Sequence, residues 1–134
     1  MTNKEMTIEE KKVLNTIKDM TKAFHEKKID NVMNKYVTGA VVVFEPELPI
    51  KDTKEMREKF LNAFNLNPLF TYNGHEVFIY GNTATHIAPW TMNGTTPDGT
   101  IISQNGLSVS VLKKQPNGDW LIAFDNPHSQ YLMM

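Results

Sequence analysis

The chain divides into a first part whose apolar residues recur at helical spacing and a second part whose apolar residues alternate as strands do. Thr7-Ile8-Glu9-Glu10 has the form of a capping box, and Val13, Ile17, Met20 and Phe24 follow on one helical face. This pattern predicts a first helix from about Thr7 to Lys27. Asp30 can cap a short second helix in which Ile29, Val32, Met33, Tyr36 and Val37 form the buried stripe, with Gly39 as its stop. Ala40 to Phe44 is β-branched and aromatic, reads as a strand, and is broken by Glu45-Pro46 and Pro49. A third helix starts at the capping signal Asp52-Thr53-Lys54-Glu55, carries Met56, Phe60 and Phe64 on one face, and ends at Asn67-Pro68.

From Leu69 onward the turn signals Gly81-Asn82, Pro97-Asp98-Gly99 and Asn117-Gly118 mark off strands at about 69–80, 83–93, 100–114 and 120–126, joined as antiparallel hairpins. Pro89 inside the second of these calls for a bulge or an edge. Helices first and strands after, without β-α-β alternation, mean α+β: a long, curved antiparallel sheet with three helices over its concave side. No internal repeat, linker or low-complexity stretch interrupts the pattern, so a single domain over residues 1–134 is expected.

Fourteen Lys and Arg are set against fifteen Asp and Glu, which leaves no excess positive charge on which nucleic-acid affinity could rest. The absence of cysteine removes disulfides, thiolate nucleophiles and Cys-based zinc sites. Met1 to Lys12 is polar, and no run approaches the ~20 apolar residues of a membrane span. The expected setting is cytoplasmic, with neither nucleic acid nor membrane as partner. Asn93-Gly94-Thr95 matches a glycosylation sequon, but Asn-Gly reads first as a turn.

His25, His75, His86 and His128 are scattered without His-x-x-x-His or His-x-His spacing, so no metal site is expected. Neither a phosphate loop nor a Gly-x-Gly-x-x-Gly stretch occurs, and no cofactor is expected. Ser103, Ser108 and Ser110 lie in one strand but lack a nucleophile elbow. His86, Ala88, Trp90 and Met92 share one strand face, which either fills the core or lines a pocket. Glu45 directly follows an apolar run and is fixed by Pro46. At the mouth of an apolar pocket such a carboxylate would have its pKa raised by desolvation, as a general base needs; beside Glu47 and Lys51 it is otherwise a solvated loop residue. Asp125, in Asp125-Asn126-Pro127, is either a turn-former or a group that orients a ligand.

Three stretches, in this order of elements, resemble the SnoaL-like, ketosteroid-isomerase-like branch of the nuclear transport factor 2 superfamily over nearly the whole chain. They are Asp30 to Tyr36 leading into Ala40-Val41-Val42-Val43-Phe44-Glu45-Pro46, then Trp90-Thr91-Met92-Asn93-Gly94 with Pro97-Asp98-Gly99, and finally Val111 to Pro127, ending in Trp120 and Asp125-Asn126-Pro127. The resemblance implies a cone-shaped α+β barrel, an apolar pocket between sheet and helices, and a homodimer built through the sheet.

In the steroid isomerases an Asp before a Pro, at the end of the first strand, moves the proton, and Glu45-Pro46 resembles that pair. Counting from Tyr36 and Ala40 puts the position on Phe44, so Glu45 takes the role if the strand bulges by one residue. Those enzymes also use a Tyr and a protonated Asp as paired donors to one oxyanion. This chain has no Tyr before Tyr36, and Ser108 and Ser110 stand where the Asp is expected. The expectation is therefore a pocket for a small hydrophobic molecule, lined by Phe24, Phe44, Trp90, Ser108, Phe124 and Asp125. Its chemistry would be proton transfer or hydrolysis on a carbonyl compound, with Glu45 as base and His86 or Tyr36 as hydrogen-bonding partner. The alternative is ligand binding without turnover, or a module for dimerisation and association.

Overall fold

Thr7 caps the first helix in both directions: its hydroxyl accepts from the Glu10 amide at 3.1 Å, and the Glu10 carboxylate accepts from the Thr7 amide at 2.7 Å. The computed structural model describes residues 5–134, so Met1 to Lys4 of the polar opening stretch lie outside the described residues. Helix α1 spans Ile8–His25 and buries Val13, Ile17 and Phe24, as the spacing requires. Helix α2 is shorter than its pattern, Ile29–Met33, and begins at Lys28 without a side-chain cap. Helix α3, Thr53–Phe64, is capped by Asp52, which accepts from the Glu55 amide, and buries Met56, Phe60 and Phe64.

Tyr36 and Val37 do not continue α2. They open strand β1, Tyr36–Glu45, in which Gly39 adopts a left-handed φ of 81° where the pairing register shifts, so Gly39 forms a bulge and does not end a helix. After β1 come β2 (Leu48–Ile50), β3 (Leu69–Tyr72), β4 (Glu76–Tyr80), β5 (Thr83–Thr95), β6 (Ile101–Lys114) and β7 (Trp120–Asn126). They form one curved, unclosed sheet of order β2-β1-β7-β6-β5-β3, with β4 also paired to β5. The fold is α+β, as expected. The sheet is mixed, however: β1 runs parallel to β7 because α3 and five strands separate the two in sequence, and no hairpin turn dictates their direction.

The single strand expected over 69–80 is two, β3 and β4, which pair with successive parts of β5 and are parted by Asn73-Gly74-His75. Pro89 lies at that gap. Its carbonyl accepts from the Asn73 amide at 2.8 Å, so its missing N–H faces the break in the neighbouring strands, and the β5–β6 register runs past it unshifted. Asn93-Gly94-Thr95 is not a turn: it belongs to β5, whose pairing with β6 continues through Thr95. A Cβ at Gly94 would come within 2.4 Å of the Leu66 carbonyl oxygen, which places a glycine here for close approach.

The helices cover one face of the sheet. Thr16 on α1 donates to the Trp120 carbonyl at 2.8 Å, and Trp120 Nε1 donates to Glu9 at 2.9 Å, fixing α1 across the end of β7. Phe24, Phe60 and Phe64 meet edge-on between α1 and α3. This aromatic contact closes one end of the layer and leaves space beneath it, over the middle of the sheet.

Candidate functional site

That space is a cavity of about 250 Å³ walled by Ile17, Met20, Thr21 and Phe24 of α1, Phe60 and Ala63 of α3, and the inner face of the sheet. Its lining is mostly apolar, with scattered polar atoms from Thr21, Tyr72, Gln104, Ser108 and His128, and at one end three polar groups from three strands meet. Tyr36 starts β1, Ser110 lies in β6 and Asp125 in β7. The Tyr36 hydroxyl donates to Asp125 Oδ2 at 2.8 Å, and the Ser110 hydroxyl donates to Oδ1 at 3.0 Å. All three are buried.

A one-residue bulge brings Asp125 inward. Ile122 pairs with Leu112 and Phe124 with Val111, so Ala123 is the extra residue on β7. Before the bulge Trp120 and Ile122 face the helices; after it Asp125 does, and Phe124 turns to the outer face. Phe124 is therefore not a cavity residue, contrary to the alternation expected of an unbroken strand. Asp125 is not the turn-former either. That role belongs to Asn126, whose side-chain oxygen accepts from the His128 amide at 2.9 Å.

Burial pushes the Asp125 carboxyl above its ordinary range, while its bonds from Tyr36 and Ser110 and the nearby His128 pull it down; burial prevails. The Tyr36 phenol is held well above its usual value by burial and by the Asp125 carboxylate beside it. Tyr72, on β3, is pushed up to about 12, mainly by burial. Thr21 gives its proton to the Ile17 carbonyl at 3.0 Å, so the Tyr72 hydroxyl donates to Thr21, 2.7 Å away. Neither tyrosine proton is free as drawn. Chemically, the arrangement is a carboxylate with both oxygens anchored from behind and an apolar space in front.

His128 completes the rim. Its Nε2 lies 2.9 Å from the Phe44 carbonyl, which can only accept, so Nε2 carries the proton and Nδ1 is the acceptor of the neutral ring. Trp90 also lines the cavity, and its Nε1 donates to the Pro127 carbonyl at 2.9 Å, holding the chain after β7 against the sheet.

Among the residues expected from sequence, the structure gathers Tyr36, Phe24, Phe44, Trp90, Ser108 and Asp125 around one cavity. Glu45 is elsewhere. The register between β1 and β2 does shift between Val43 and Glu45, yet the shift leaves Phe44 in the lining and Glu45 exposed at the strand's end. Exposed and outside the lining, Glu45 does not occupy the mouth of an apolar pocket, the placement on which its role as base depended. His86 shares the inner face of β5 with Trp90, as expected, but is fully buried outside the cavity lining, with Tyr72 edge-on to its ring. Its Nε2 meets His75 Nδ1 at 2.8 Å, and its Nδ1 has no partner.

Ser110, Tyr72 and His128 were not singled out as site residues. The signal for His128 was the Asn126-Pro127 turn that returns the chain to the cavity. Ser110 was marked by its parity with Ser108; Tyr72 carried no signal distinct from core. Among the described residues no group of three or more His, Cys, Asp or Glu side chains is placed to hold a metal ion.

The sequence matches no protein-family model and no curated protein. Solved structures do match. A nuclear transport factor 2-like superfamily protein from Salmonella enterica aligns with a TM-score of 0.79 at 14% identity, covering 88% of this chain and 88% of that one. A ketosteroid isomerase-like protein from Erwinia carotovora aligns at 0.77 and 16% identity, covering 90% and 95%. A candidate calcium/calmodulin-dependent protein kinase II association domain from Xanthomonas campestris aligns at 0.77 and 15% identity, covering 96% of each chain. At these identities the likeness is one of fold, and function has to be argued from the site.

Proposed function

We propose that this chain, whose fold is that of nuclear transport factor 2-like and ketosteroid isomerase-like proteins, acts as a single domain that holds a small, uncharged, largely apolar carbonyl compound and moves a proton on it. One observation carries the reading: the Asp125 carboxylate is buried at the end of an apolar cavity, with both oxygens held from behind by hydroxyl donors. Burial raises its proton affinity toward that of a useful base, and the two donors fix its direction. A carbon acid beside a carbonyl would give its proton to Asp125. The enolate oxygen that forms would need a donor, and the buried Ser108 hydroxyl on the same wall is available to supply one.

The ligand's class follows from the walls. Phe24, Phe44, Phe60, Phe70 and Trp90 favour a flat or ring-bearing molecule, and no Lys or Arg lines the cavity to neutralise an anion. At about 250 Å³ the space lies just below the usual ~300–1,000 Å³ of small-molecule pockets, which favours one or two rings. The test is native mass spectrometry of protein purified from its host, followed by deuterium exchange into the released compound in heavy water. Exchange at the carbon next to the carbonyl, lost in Asp125→Asn, supports the proposal. Binding without exchange would leave only the non-catalytic alternative.

The proposal includes a homodimer formed through the outer sheet face. Paired residues Val41, Phe124, Val111, Thr85 and Phe78 make a row across that face, and Asn126, Val109, Ile87 and Glu76 make another. Phe78 is 51% exposed. After residue 59 the only Lys or Arg are Lys113 and Lys114, and Glu76 is the one charged residue in these two rows, so the face is short of the charge that keeps a free surface solvated. Among the described residues no helix is long and apolar enough to cross a membrane.

A further inference from the structure

Most polar side chains of the cavity wall are already engaged within the protein. Tyr36 and Ser110 are bound to Asp125, Tyr72 to Thr21, Trp90 to the Pro127 carbonyl and His128 to the Phe44 carbonyl. Among the described residues of the lining, that leaves Ser108 and Gln104 without a hydrogen-bond partner. Ser108 is 8% exposed, and a buried hydroxyl left unpaired is costly unless something else pairs with it. Gln104 is exposed, which places it where the cavity opens to solvent.

The strand sets the spacing between the two. Alternate residues of β6 share a face, so Ser110, Ser108, Gly106 and Gln104 follow one another along the inner side, from the acid end of the cavity outward. At about 3.3 Å per residue, Ser108 stands ~7 Å along the strand from Ser110, and Gln104 a further ~13 Å. Gly106 lies midway and leaves a gap that an aromatic ring fills. Trp90 is its direct cross-strand partner, and a Cβ at Gly106 would stand 2.6 Å from Trp90 Cζ2, so the indole lies across the strand between the two unpaired groups. Met92, opposite Gln104, is also in the wall and brings only a thioether.

We propose that the ligand is polar at both ends of its long axis. Ser108 takes the oxygen at the inner end, a flat middle lies against Trp90, and Gln104 takes a second, uncharged hydrogen-bonding group, a hydroxyl or a carbonyl, at the outer end. Gln104 is then the residue that sets specificity for the outer group. The inference rests on the reading of the cavity as a site for a small carbonyl compound and adds the second polar group to it. A primary amide both donates and accepts, so it pairs with a hydroxyl in either direction and carries no charge with which to select an ion. A ligand seated in the mouth displaces solvent from Gln104. One without an outer polar group leaves the amide unpaired, and that penalty is what discriminates.

Isothermal titration calorimetry with two probes tests this: β-tetralone, a two-ring ketone, and its derivative bearing a phenolic hydroxyl at the far end of the long axis from the carbonyl. The wild type should bind the hydroxylated ketone about fivefold more tightly, the worth of one hydrogen bond. Gln104→Leu, a change at an exposed position, should bring the two affinities together by weakening the hydroxylated probe. Ser108→Ala should weaken both probes by the same factor and keep their ratio, because it acts at the carbonyl end. Equal affinities in the wild type, or a preference that survives Gln104→Leu, overturns the assignment of Gln104 while leaving the carbonyl-compound reading in place. A wild type that binds neither probe contradicts both. Deuterium exchange into the bound ketone, compared between wild type and Asp125→Asn, tests the proton transfer separately from the ratio of affinities.

Discussion

The Tyr36 hydroxyl lies 2.8 Å from Asp125 Oδ2, joining the first residue of β1 to the inward-turned residue near the end of β7. The two strands are parallel neighbours, so this bond fixes the polar end of the cavity to a pairing that no hairpin enforces. Tyr36→Phe keeps the ring and removes the donor. It should cost about 1–3 kcal/mol, because a buried carboxylate oxygen loses its partner. Urea denaturation of Tyr36→Phe, Asp125→Leu and the double variant checks this. The double variant should recover part of the loss, since no unpartnered carboxylate remains.

Stability should fall on mild acidification. Burial, helped by His75, lowers His86 from its ordinary value to about 4, so between about pH 6.5 and 4 the unfolded chain binds a proton that the folded chain refuses. The folded state therefore loses up to about 3 kcal/mol as pH drops through that window. His25 and His75, also lowered by burial, act in the same direction. Asp125 opposes them: its raised value gives stability that is present at low pH and lost as pH rises through its folded pKa. Melting temperatures from pH 7 to 4 should fall more steeply in Asp125→Asn than in wild type and less steeply in His86→Gln.

Gly106 holds the cavity wall and the chain end together. A Cβ there would stand 2.6 Å from Trp90 Cζ2, 2.8 Å from Gln130 Oε1 and 2.9 Å from the Pro127 carbonyl oxygen. Gln130 Oε1 accepts from the Leu107 amide at 2.8 Å, within the short 3-10 helix over Ser129–Met133. Gly106→Ala should cost about 1–3 kcal/mol through overpacking and displace the residues after Asn126. Faster amide exchange at Leu107, with altered Trp90 fluorescence, is the expected reading.

A charge on the outer sheet face should separate the protomers. Phe78→Lys and Val109→Glu place charges among the apolar residues of the two rows without touching the cavity. Sedimentation should give monomers with an unchanged far-ultraviolet circular dichroism spectrum. A wild-type monomer would remove this part of the proposal.

Much of this was legible where local chemistry decides. Val13, Ile17 and Phe24 fixed the buried face of α1, the Thr7 and Glu10 pair fixed its start, and the alternation at His86, Ala88, Trp90 and Met92 gave the inner face of β5. What escaped depended on backbone irregularity or distant pairing. Gly39 looks the same as a helix stop or a bulge, and only the partner strand decides. The extra residue at Ala123 exchanges the faces of Phe124 and Asp125, and nothing in the local alternation announces it. Glu45 drew attention through the apolar run before it, but a strand's last residue is free to turn to water, and it does. Tyr36 was named as a hydrogen-bonding partner while its element was read as helix; the structure puts it at the start of β1, with its hydroxyl on Asp125 and not near Glu45.

The carboxyl carbon resonance of Asp125, followed by NMR as pH is varied, addresses the proposal most directly. The buried, doubly anchored carboxyl should titrate above the ordinary 3.8 of an Asp side chain, and higher still in Tyr36→Phe, where one of the bonds that favour its ionised form is gone. Titration at or below 3.8, with no response to Tyr36→Phe, would mean that the cavity does not hold a carboxyl poised to take a proton.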